Sequence, residues 1–361
     1  MKNHKIFVLV PDIHRPGGIA NYYRVLRKHL NENFEYIYRG KKRDSESKLM
    51  LPFRLILDYI NFCSKVWFNH NRIVVNTSLG GMSSWRDGIY MILSPFSSEK
   101  IVFFRGWDPK FQKLTDSNGL FRFWIKHTFL AADKIIVLSA EFKTKLIEWG
   151  YEGVIEIDTT VADEELLNGS TWKNLYEHRK KVDYHHILYL GSVIKEKGIW
   201  EITEAFKHLK DKGNLENIKV TIAGDGTERE SLIKFTHKHD LPLKFPGYIS
   251  GGQKAEILRN ASIFLFASYH EGMPNAVLEA MAFGLPVITT PVGGLPEFFE
   301  EGKMGLLLES KDPEYIAHKI SYLLQRPELM KSMSACNYNY AREYFYSEKV
   351  ADRLTKIIGK T

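Results

Sequence analysis

The sequence predicts an α/β fold made of two doubly wound parallel sheets, one in each half of the chain. Its 361 residues are enough for two domains of about 150 residues each. Four short apolar runs precede a polar stretch at residues 158–183, and four more follow it. Runs that are apolar throughout are typical of strands covered on both faces, and their alternation with helical patterns favours parallel sheets.

Each predicted strand is a short run rich in β-branched and aromatic residues. The eight runs lie at residues 6–10, 73–75, 101–104, 135–138, 187–190, 220–223, 263–266 and 287–290. Helical patterns follow several of them, for example at residues 19–30. A last helical pattern at residues 338–358 is rich in tyrosine. It has more aromatic side chains than are needed to cover one small sheet, so we expect it to pack across both halves.

We therefore divide the chain into residues 1–170, residues 171–340 and a C-terminal helix at residues 341–361. No internal repeat of fixed period interrupts this division. In open parallel sheets, ligands bind beyond the carboxyl ends of the strands. The loops that follow strands are therefore the places where a functional site is expected.

The composition is that of an ordinary globular protein with one basic half. Apolar residues make up 44% and charged residues 26%, which excludes a disordered or fibrous chain. Residues 1–150 carry 24 basic and 13 acidic residues, against 26 and 30 in the remainder, so the net charge of +7 comes from the first half.

Cysteine content and hydropathy indicate the compartment. Cys63 and Cys336 are too few for a disulfide framework or a cysteine-based metal site, and they favour a reducing environment. The apolar run at residues 6–10 is too short for a signal-peptide core, and no run approaches the roughly 18 apolar residues of a membrane span. We expect a cytoplasmic protein.

Two segments of the basic half combine cations with large apolar side chains. The first interleaves three cations with five apolar residues: Lys48, Arg54 and Lys65 with Leu49, Phe53, Leu57, Phe62 and Trp67. The second is LFRFWIK at residues 120–126. Such segments can lie on an anionic membrane surface, or they can pack their aromatic rings in the core and leave the cations solvated. We expect peripheral contact with the inner face of the plasma membrane, with core packing as the alternative.

Two glycine-containing loops are candidate phosphate sites. Gly17 and Gly18 follow the first strand and open a helix, so backbone N–H groups could approach a phosphate there. A tight turn explains the same pair equally well. The loop at residues 191–198 contains Ser192 and Lys197, which places a cation where an anion would lie or leaves it as a solvated surface charge.

The most informative stretch is ASYHEGMPNAVLEAMAFGLP, at residues 267–286. Pro274 suits the first turn of a helix and Gly284 suits its C-terminal cap, which predicts a helix over residues 274–283. The free N–H groups at the start of that helix then face the strand ends and form an anion site.

Two carboxylates flank the start of this helix. Glu271 lies in the loop ahead of it, and Glu279 follows eight residues later, about 12 Å along a helix. Glycosidase carboxylate pairs lie about 5–9.5 Å apart, so this spacing favours two carboxylates that hold different parts of one extended ligand. The structural alternative makes Glu271 a helix-cap acceptor and Glu279 a half-exposed helix residue, and the residues alone leave both readings open.

The segment from Gly191 to Glu309 resembles the donor half of the retaining GT-B glycosyltransferases of family 4. Glu271 and Glu279 match the Glu-x7-Glu signature of that family. The words GDGTERESL, FPGYISGGQK and ASIFLFASYHEGMPNAVLEAMAFGLPVITTPVGGLPEFFEEGKMG resemble it almost continuously. The N-terminal half is similar chiefly through PGGIANYYRVL. The resemblance implies the GT-B fold, in which two Rossmann-like domains face a central cleft and a C-terminal helix crosses back to the N-terminal domain.

The resemblance also implies an activity. A hexose-type sugar would pass from a nucleotide-diphosphate sugar, bound by residues 171–340, to a hydroxyl of a glycan or polyprenyl-diphosphate-linked saccharide, bound by residues 1–170. Transfer would retain the anomeric configuration and would serve cell-surface polysaccharide biosynthesis, such as that of O-antigen or capsule. We expect no metal and no cofactor besides this co-substrate, because helix N-termini and one lysine can supply the positive potential that a departing diphosphate needs.

The family's functional residues can be carried over by position. Glu271 would hold the donor sugar, Glu279 would accept hydrogen bonds from ribose hydroxyls, and Lys197 would neutralise the diphosphate. Glu271 and Lys197 are the expected catalytic residues. The other expected donor contacts are Gly17, Gly18, Ser192, Gly272, Met273, Pro274, Asn275, Ala276 and Val277, with Pro246, Gly247 and Tyr248 near the nucleobase.

Two departures from the family's pattern affect these expectations. Ser192 stands where the family usually has an arginine, so one diphosphate cation is missing, and Arg15 or Arg105 is expected to replace it. Arg105 precedes Gly106 and Trp107 where relatives often have His-Gly, and that histidine commonly contacts the donor sugar. Arginine cannot act as a base, which leaves the donor sugar open. We expect Arg15, Arg105 and Trp107 to contact the acceptor or the diphosphate, with a buried salt bridge as the alternative for Arg105.

The family has no agreed enzymic nucleophile, so we expect departure and attack on the same face of the sugar. A nucleotide-sugar epimerase or a sugar phosphorylase on the same fold is an alternative. A phosphorylase would need a cofactor-bearing lysine or a dedicated phosphate site, whereas an epimerase would need no acceptor. A basic nucleic-acid-binding protein would leave Glu271 and Glu279 unexplained, so no nucleic-acid partner is expected.

Overall fold

The computed structural model describes residues 5–15, 17–40, 50–67 and 71–359. The chain divides into two compact units, one formed by Met1–Thr160 with Ser347–Thr361 and the other by Val161–Tyr346. Each unit contains a six-stranded sheet in which every strand pair is parallel. The α/β class with two doubly wound sheets is therefore confirmed.

The sheet of the first unit has the strand order β2-β1-β3-β4-β5-β6. Its strands are β1 Ile6–Pro11, β2 Phe34–Arg39, β3 Arg72–Leu79, β4 Glu99–Trp107, β5 Lys134–Val137 and β6 Val154–Ile157. Its helices are α1 Gly18–Leu26, α2 Leu51–Val66, α3 Gly81–Leu93, α4 Pro109–Ser117, α5 Gly119–His127, α6 Ala140–Glu148 and, at the end of the chain, α14 Ser347–Gly359.

The sheet of the second unit has the strand order β12-β11-β10-β7-β8-β9. Its strands are β7 His185–Leu190, β8 Ile218–Ala223, β9 Leu243–Gly247, β10 Ile263–Phe266, β11 Val287–Thr289 and β12 Gly305–Leu307. Its helices are α7 Trp172–Arg179, α8 Ile199–Asp211, α9 Arg229–Lys238, α10 Gly251–Asn260, α11 Asn275–Ala282, α12 Pro313–Leu324 and α13 Pro327–Tyr344.

The eight predicted strands are all present, and the four that the sequence did not predict are the edge strands β2, β6, β9 and β12. An edge strand is covered less completely than a central one, so its sequence need not be apolar throughout. Strand β2 reads FEYIYR and β9 reads LKFPG, and neither is the continuous apolar run that identified the inner strands.

The unit boundaries differ from the predicted ones at 170/171 and 340/341. The chain enters the second unit at Val161 and leaves it at Tyr346. The N–H of Ala162 donates to the carbonyl of Phe345 at 2.9 Å, so the entering and leaving segments are hydrogen-bonded there. The polar stretch at residues 158–183 is not an irregular linker, since it contains a 3-10 helix at Glu164–Leu167 and all of α7.

The C-terminal segment is two helices rather than one. Helix α13 ends at Tyr344 and belongs to the second unit, and α14 begins at Ser347 and returns to the first. The guanidinium of Arg353 in α14 contacts Asp158 Oδ1 at 3.1 Å and donates to Thr159 Oγ1 at 2.8 Å. Lys134 Nζ donates to the carbonyl of Ile357 at 2.7 Å. These bonds anchor the returning helix to strand ends of the first sheet.

In the two basic-apolar segments of the first unit, some of the apolar side chains are buried and others are exposed. Lys48 and Leu49 lie outside the described residues. Phe62 is fully buried, so its predicted place on a lipid surface is wrong, whereas Phe53 and Trp67 are exposed. None of the helices in the described ranges is both long enough and apolar enough to cross a membrane.

Candidate functional site

The loops at the carboxyl edge of the second sheet are packed backbone to backbone. Gly224 follows β8 with φ +144°, and a Cβ there would lie 1.7 Å from the carbonyl oxygen of Gly191, which follows β7. Gly198 has φ +66°, and its Cβ would lie 2.1 Å from the carbonyl oxygen of Ala267, which follows β10. Only glycine fits at these two positions, so three loops are held together at one edge of the sheet.

Helix α11 starts at this edge, close to the predicted residue. Pro274 occupies the N-cap position rather than the first turn, and no side chain caps the helix. The N–H of Val277 donates to the carbonyl of Pro274 at 3.0 Å, while the N–H groups of Asn275 and Ala276 have no acceptor in the described part of the chain. These two groups and the helix dipole provide a positive site for an anion.

Glu271 and Lys197 form an ion pair beside that helix start. Lys197 Nζ lies 2.6 Å from Glu271 Oε1, although 74 residues separate them. Their loops are tied together, because the N–H of Tyr269 donates to the carbonyl of Glu196 at 3.0 Å. Glu271 makes no cap hydrogen bond to α11, so its alternative role as a helix-cap acceptor is wrong.

Glu279 lies inside the second unit and is also ion-paired. Its side chain is 3% exposed, and Lys254 Nζ from α10 lies 2.5 Å from its Oε1. The alternative of a half-exposed helix residue is therefore wrong. Burial raises the pKa of Glu279, with the nearby Asp163 carboxylate adding to the shift and the Lys254 ammonium opposing it.

Lys254 and Asp163 are members of this site that sequence reasoning missed. Lys254 lies within the word FPGYISGGQK, yet nothing in that word indicates that its side chain reaches α11. One signal was present: α11 reads NAVLEAMA, and a glutamate inside such an apolar helix needs a cationic partner. Glu279 therefore needs a partner, but the sequence does not indicate which cation provides it.

The residues expected near a nucleobase end strand β9. Pro246 and Gly247 are its last residues, and the N–H of Gly224 donates to the carbonyl of Gly247 at 2.8 Å. Tyr248 follows with 68% of its surface exposed. Strands β9 and β10 are three strand spacings apart, about 14 Å, so the expected contacts span the length of an extended ligand.

The remaining residues of the second unit that were expected to contact the donor can do so mainly through their main-chain atoms. Met273 and Val277 are buried, so only their main chains can face a ligand. Ser192 is exposed, and its carbonyl accepts a 2.7 Å hydrogen bond from the Tyr189 hydroxyl, which fixes the course of this loop. Burial raises the pKa of Tyr189, so the hydroxyl stays protonated as a donor.

Arg105 of the first unit stacks on aromatic rings. Its guanidinium carbon lies 3.7 Å from the ring centre of Tyr22 and 4.2 Å from that of Phe103. Its Nη1 is buried without a hydrogen-bond partner among the residues described, and Arg105 forms no ion pair there, so the buried salt bridge is not found. Gly17 and Gly18 lie in the exposed turn into α1, with φ +142° at Gly17.

Trp107 is a core residue, which corrects its expected role as a ligand contact. It is 9% exposed, and its ring stacks on Phe142 and Trp149 at centroid distances of 4.5 and 5.5 Å. Its indole N–H donates to Gln112. A contact with the acceptor or the diphosphate was expected, but the large ring is buried against Phe142 and Trp149 instead.

A cavity and the distribution of possible metal ligands complete the description of the site. A cavity of about 630 Å³ lies at the amino-terminal edge of its sheet, lined by His185, Asn217 and Pro286 among others, and so opposite the edge that carries Glu271. In the ranges that the structure covers, no three His, Cys, Asp or Glu side chains are grouped to hold a metal ion. Independence from metal stays a prediction.

Comparison with known proteins finds similarity to glycosyltransferases. Residues 170–340, just under half of the chain, match the model of the family described as Glycosyl transferases group 1. An uncharacterized glycosyltransferase of Methanocaldococcus jannaschii is 27% identical over 230 residues, 63% of this chain and 60% of that protein. The capsular polysaccharide biosynthesis glycosyltransferase CapM of Staphylococcus aureus is 26% identical over 252 residues, 63% of this chain and 62% of that protein.

Two solved structures share the architecture along nearly the whole chain. Sucrose-phosphate synthase of Thermosynechococcus elongatus superposes with a TM-score of 0.75 at 17% identity, covering 98% of each chain. Anabaena HepE in complex with UDP-glucose superposes with a TM-score of 0.70 at 14% identity, covering 98% of this chain and 99% of that one. The fold is GT-B, and the family match and named relatives support a place in the GT-B glycosyltransferase superfamily. The chain spans less than two thirds of the length of the curated relatives that it matches.

Proposed function

We propose that this protein is a retaining glycosyltransferase of family 4. It moves a hexose-type sugar from a nucleotide-diphosphate sugar to a hydroxyl of a glycan or lipid-linked saccharide. The observation that carries the proposal is the Lys197–Glu271 pair, 2.6 Å apart, beside the uncapped start of α11. The relative CapM is named as a glycosyltransferase of capsular polysaccharide biosynthesis. This name supports an acceptor that belongs to a cell-surface polysaccharide, such as capsule or lipopolysaccharide.

The diphosphate of the donor binds at the start of α11. The N–H groups of Asn275 and Ala276 donate to its oxygens, and the Lys197 ammonium neutralises part of its charge. Lys197 is shared with Glu271 before the donor arrives. When the diphosphate takes over that ammonium, a carboxylate oxygen of Glu271 becomes available to the hydroxyls of the donor sugar.

The nucleoside binds along the same strand edge. Glu279 accepts hydrogen bonds from the ribose hydroxyls, more strongly in its ionised form, and the ammonium of Lys254 favours that form. The base lies near Pro246, Gly247 and the exposed Tyr248, whose ring can stack on it. HepE was solved with UDP-glucose, which supports a donor of this class.

Transfer takes place on one face of the sugar. The bond from the anomeric carbon to the diphosphate oxygen breaks, and a bond to the acceptor oxygen forms on the same face. The departing diphosphate oxygen takes the proton of the acceptor hydroxyl, so no enzymic nucleophile is needed. The α11 start and Lys197 stabilise the departing charge, and the first unit holds the acceptor. We expect EDTA to leave the rate unchanged.

The test is acceptor-dependent release of nucleoside diphosphate. A panel of nucleotide sugars is incubated with the full chain, with and without a polyprenyl-diphosphate-linked saccharide, and the anomeric configuration of the product is read by NMR. Glu271→Gln should lower turnover at least about a hundredfold while nucleoside diphosphate affinity changes little. Glu256→Gln, an exposed glutamate on α10, is the matched control.

Three outcomes would contradict the proposal. If Glu271→Gln abolishes nucleotide binding, the carboxylate is structural. Conversion of the donor sugar without acceptor would indicate an epimerase. Cleavage that requires inorganic phosphate would indicate a phosphorylase.

A further inference from the structure

Three helices of the first unit carry large apolar side chains on their exposed sides. The helices are α2, α3 and α5, with the residues that flank them. We call these side chains the apolar face; each is at least 39% exposed, and they are Met50, Leu51, Phe53, Ile56, Leu57, Ile60, Trp67, Met82, Trp85, Ile92, Phe96, Leu120 and Phe123.

Direct contacts place the three helices side by side. The indole N–H of Trp67, after α2, donates to the carbonyl of Leu93 at the end of α3, at 3.1 Å. The ring of Trp85 in α3 lies 4.7 Å from that of Trp124 and 5.5 Å from that of Phe121, both in α5. The apolar face is therefore one surface rather than three separate patches.

The exposed side of α2 carries apolar residues where a helix that faces water usually carries polar ones. Phe53, Ile56, Leu57 and Ile60 follow the three- and four-residue spacing of one helical face, and that face points away from the protein. With roughly half of about 200 Å² exposed per side chain, the apolar face amounts to on the order of 1,000 Å². The largest apolar patch of an ordinary monomer is about 300–600 Å², so this surface needs a partner.

The three helices carry exposed cations but no exposed carboxylate, and the exposed Asp116 of α4, beside Arg122, is paired with Lys145 at 3.4 Å. The only acidic residues of α2, α3 and α5 are Asp58 and Asp87, and both are buried. Arg122 and Lys126 are exposed on α5, and Lys100 Nζ lies over the ring of Phe96 at 5.2 Å. The surface thus combines apolar side chains with cations and shows no exposed carboxylate on these helices.

We propose that the apolar face docks on an anionic lipid bilayer, with α2, α3 and α5 lying against the headgroups. Cations at the rim match anionic headgroups, and apolar side chains at the centre enter the acyl boundary. A symmetric dimer through the same face would bring Arg122 and Lys126 of both copies to an interface whose helices offer no exposed carboxylate to pair with them. Charge therefore favours the bilayer over a second copy of the chain.

The test is binding of the full chain to vesicles, measured by flotation at low salt. Vesicles of phosphatidylcholine mixed with phosphatidylglycerol are compared with pure phosphatidylcholine. We expect binding to the anionic vesicles, weakened by added salt. Arg122→Ala with Lys126→Ala should weaken it about twenty-five-fold, at about fivefold for each cation.

The apolar contribution is tested by a double variant with a matched control. Ile56→Asn with Ile60→Asn should weaken binding on the order of a hundredfold, because two side chains that enter the acyl boundary become polar. Ile147→Asn makes the same exchange on α6, at 54% exposure against 60% for Ile60, and should bind like the original chain. All variants replace exposed residues, and circular dichroism checks that each is folded.

Each remaining outcome overturns the proposal. One is the absence of binding to anionic vesicles at low salt. Another is equal binding by the Ile56→Asn, Ile60→Asn variant and by its control. A third is a dimer in solution that this double variant dissociates, which would assign the apolar face to a second copy. No donor or acceptor enters the assay, so its result is independent of the proposed activity.

Discussion

Replacing Lys254 with methionine tests how the buried carboxylate of Glu279 is kept charged. Lys254 Nζ lies 2.5 Å from Glu279 Oε1, and the glutamate side chain is 3% exposed. Burial raises the pKa of Glu279 above its ordinary value of 4.5, and the ammonium opposes that rise. Without the ammonium, the carboxyl group either stays charged without its ion-pair partner or takes up a proton.

Proton uptake sets the upper limit of the loss in stability. At about 1.36 kcal/mol per pH unit, protonating a group of unfolded pKa 4.5 at pH 7 costs about 3.4 kcal/mol. A buried charge that loses its partner costs about 3–5 kcal/mol, so proton uptake is no more costly. We expect Lys254→Met to lower the free energy of unfolding by up to about 3 kcal/mol at pH 7.

The sign of the pH dependence follows from the raised pKa of Glu279. The folded protein binds the proton more tightly than the unfolded chain, so this group's contribution to stability is complete below pH 4.5 and is lost as the pH rises towards the folded pKa. Lys254→Met removes a cation that lowers the pKa of folded Glu279, so the protonated group contributes stability up to a higher pH. Its loss relative to the original chain should therefore shrink as the pH falls.

Guanidinium unfolding of the full chain at several pH values measures this loss. The double variant Lys254→Met with Glu279→Gln should recover most of the stability at pH 7, because a neutral amide needs no cation. Lys234→Met, at an exposed lysine of α9, is the matched control. A loss of the same size at pH 5 and pH 7, or no recovery in the double variant, would show that Lys254 does not keep Glu279 charged.

Three further predictions concern other residues. Gly224→Ala should destabilise the protein by more than about 2 kcal/mol in guanidinium unfolding, since its Cβ would lie 1.7 Å from a carbonyl oxygen, whereas Gly252→Ala in α10 meets nothing within 4 Å and should cause no loss. Burial lowers the pKa of His186 to about 4, so the unfolded chain binds the extra proton between pH 4 and 6.5 and stability falls as the pH is lowered through that window. His186→Gln should remove about 3 kcal/mol of that acid sensitivity, and an unchanged pH profile would show that His186 does not cause it. Arg105→Ala should weaken donor binding or turnover in the nucleotide-release assay, and if both are unchanged, Arg105 does not replace the missing diphosphate cation.

The inner strands could be predicted because burial on both faces leaves a continuous apolar run. Edge strands such as β2 and β9 lack that pattern, and their place depends on a neighbour that lies far away in the sequence. The break between α13 and α14 was missed for a related reason. It comes where the chain passes from one unit to the other, and no glycine or proline marks it.

The candidate site was predictable where it rests on local chemistry. The helix start at Pro274 and its cap at Gly284 follow from residue type, and Gly284 has the expected φ of +64°. Pairing was not predictable, because contacts such as Lys254 with Glu279 depend on how α10 and α11 pack. Trp107 was misplaced for the same reason: its core partners Phe142 and Trp149 come from a later helix and the residue that ends it.

Binding of nucleoside diphosphates and their sugars is the direct test of a donor site at the Lys197–Glu271 pair. Isothermal titration of the full chain with uridine, guanosine, adenosine and cytidine diphosphates, and with their sugars, measures which of them bind. We expect at least one nucleotide sugar to bind, and we expect Lys197→Met to weaken binding of its nucleoside diphosphate at least about tenfold, because a charge-assisted contact is lost. Glu256→Gln should bind like the original chain. Failure of every nucleotide sugar to bind, or equal binding by Lys197→Met, would contradict a donor site at the Lys197–Glu271 pair.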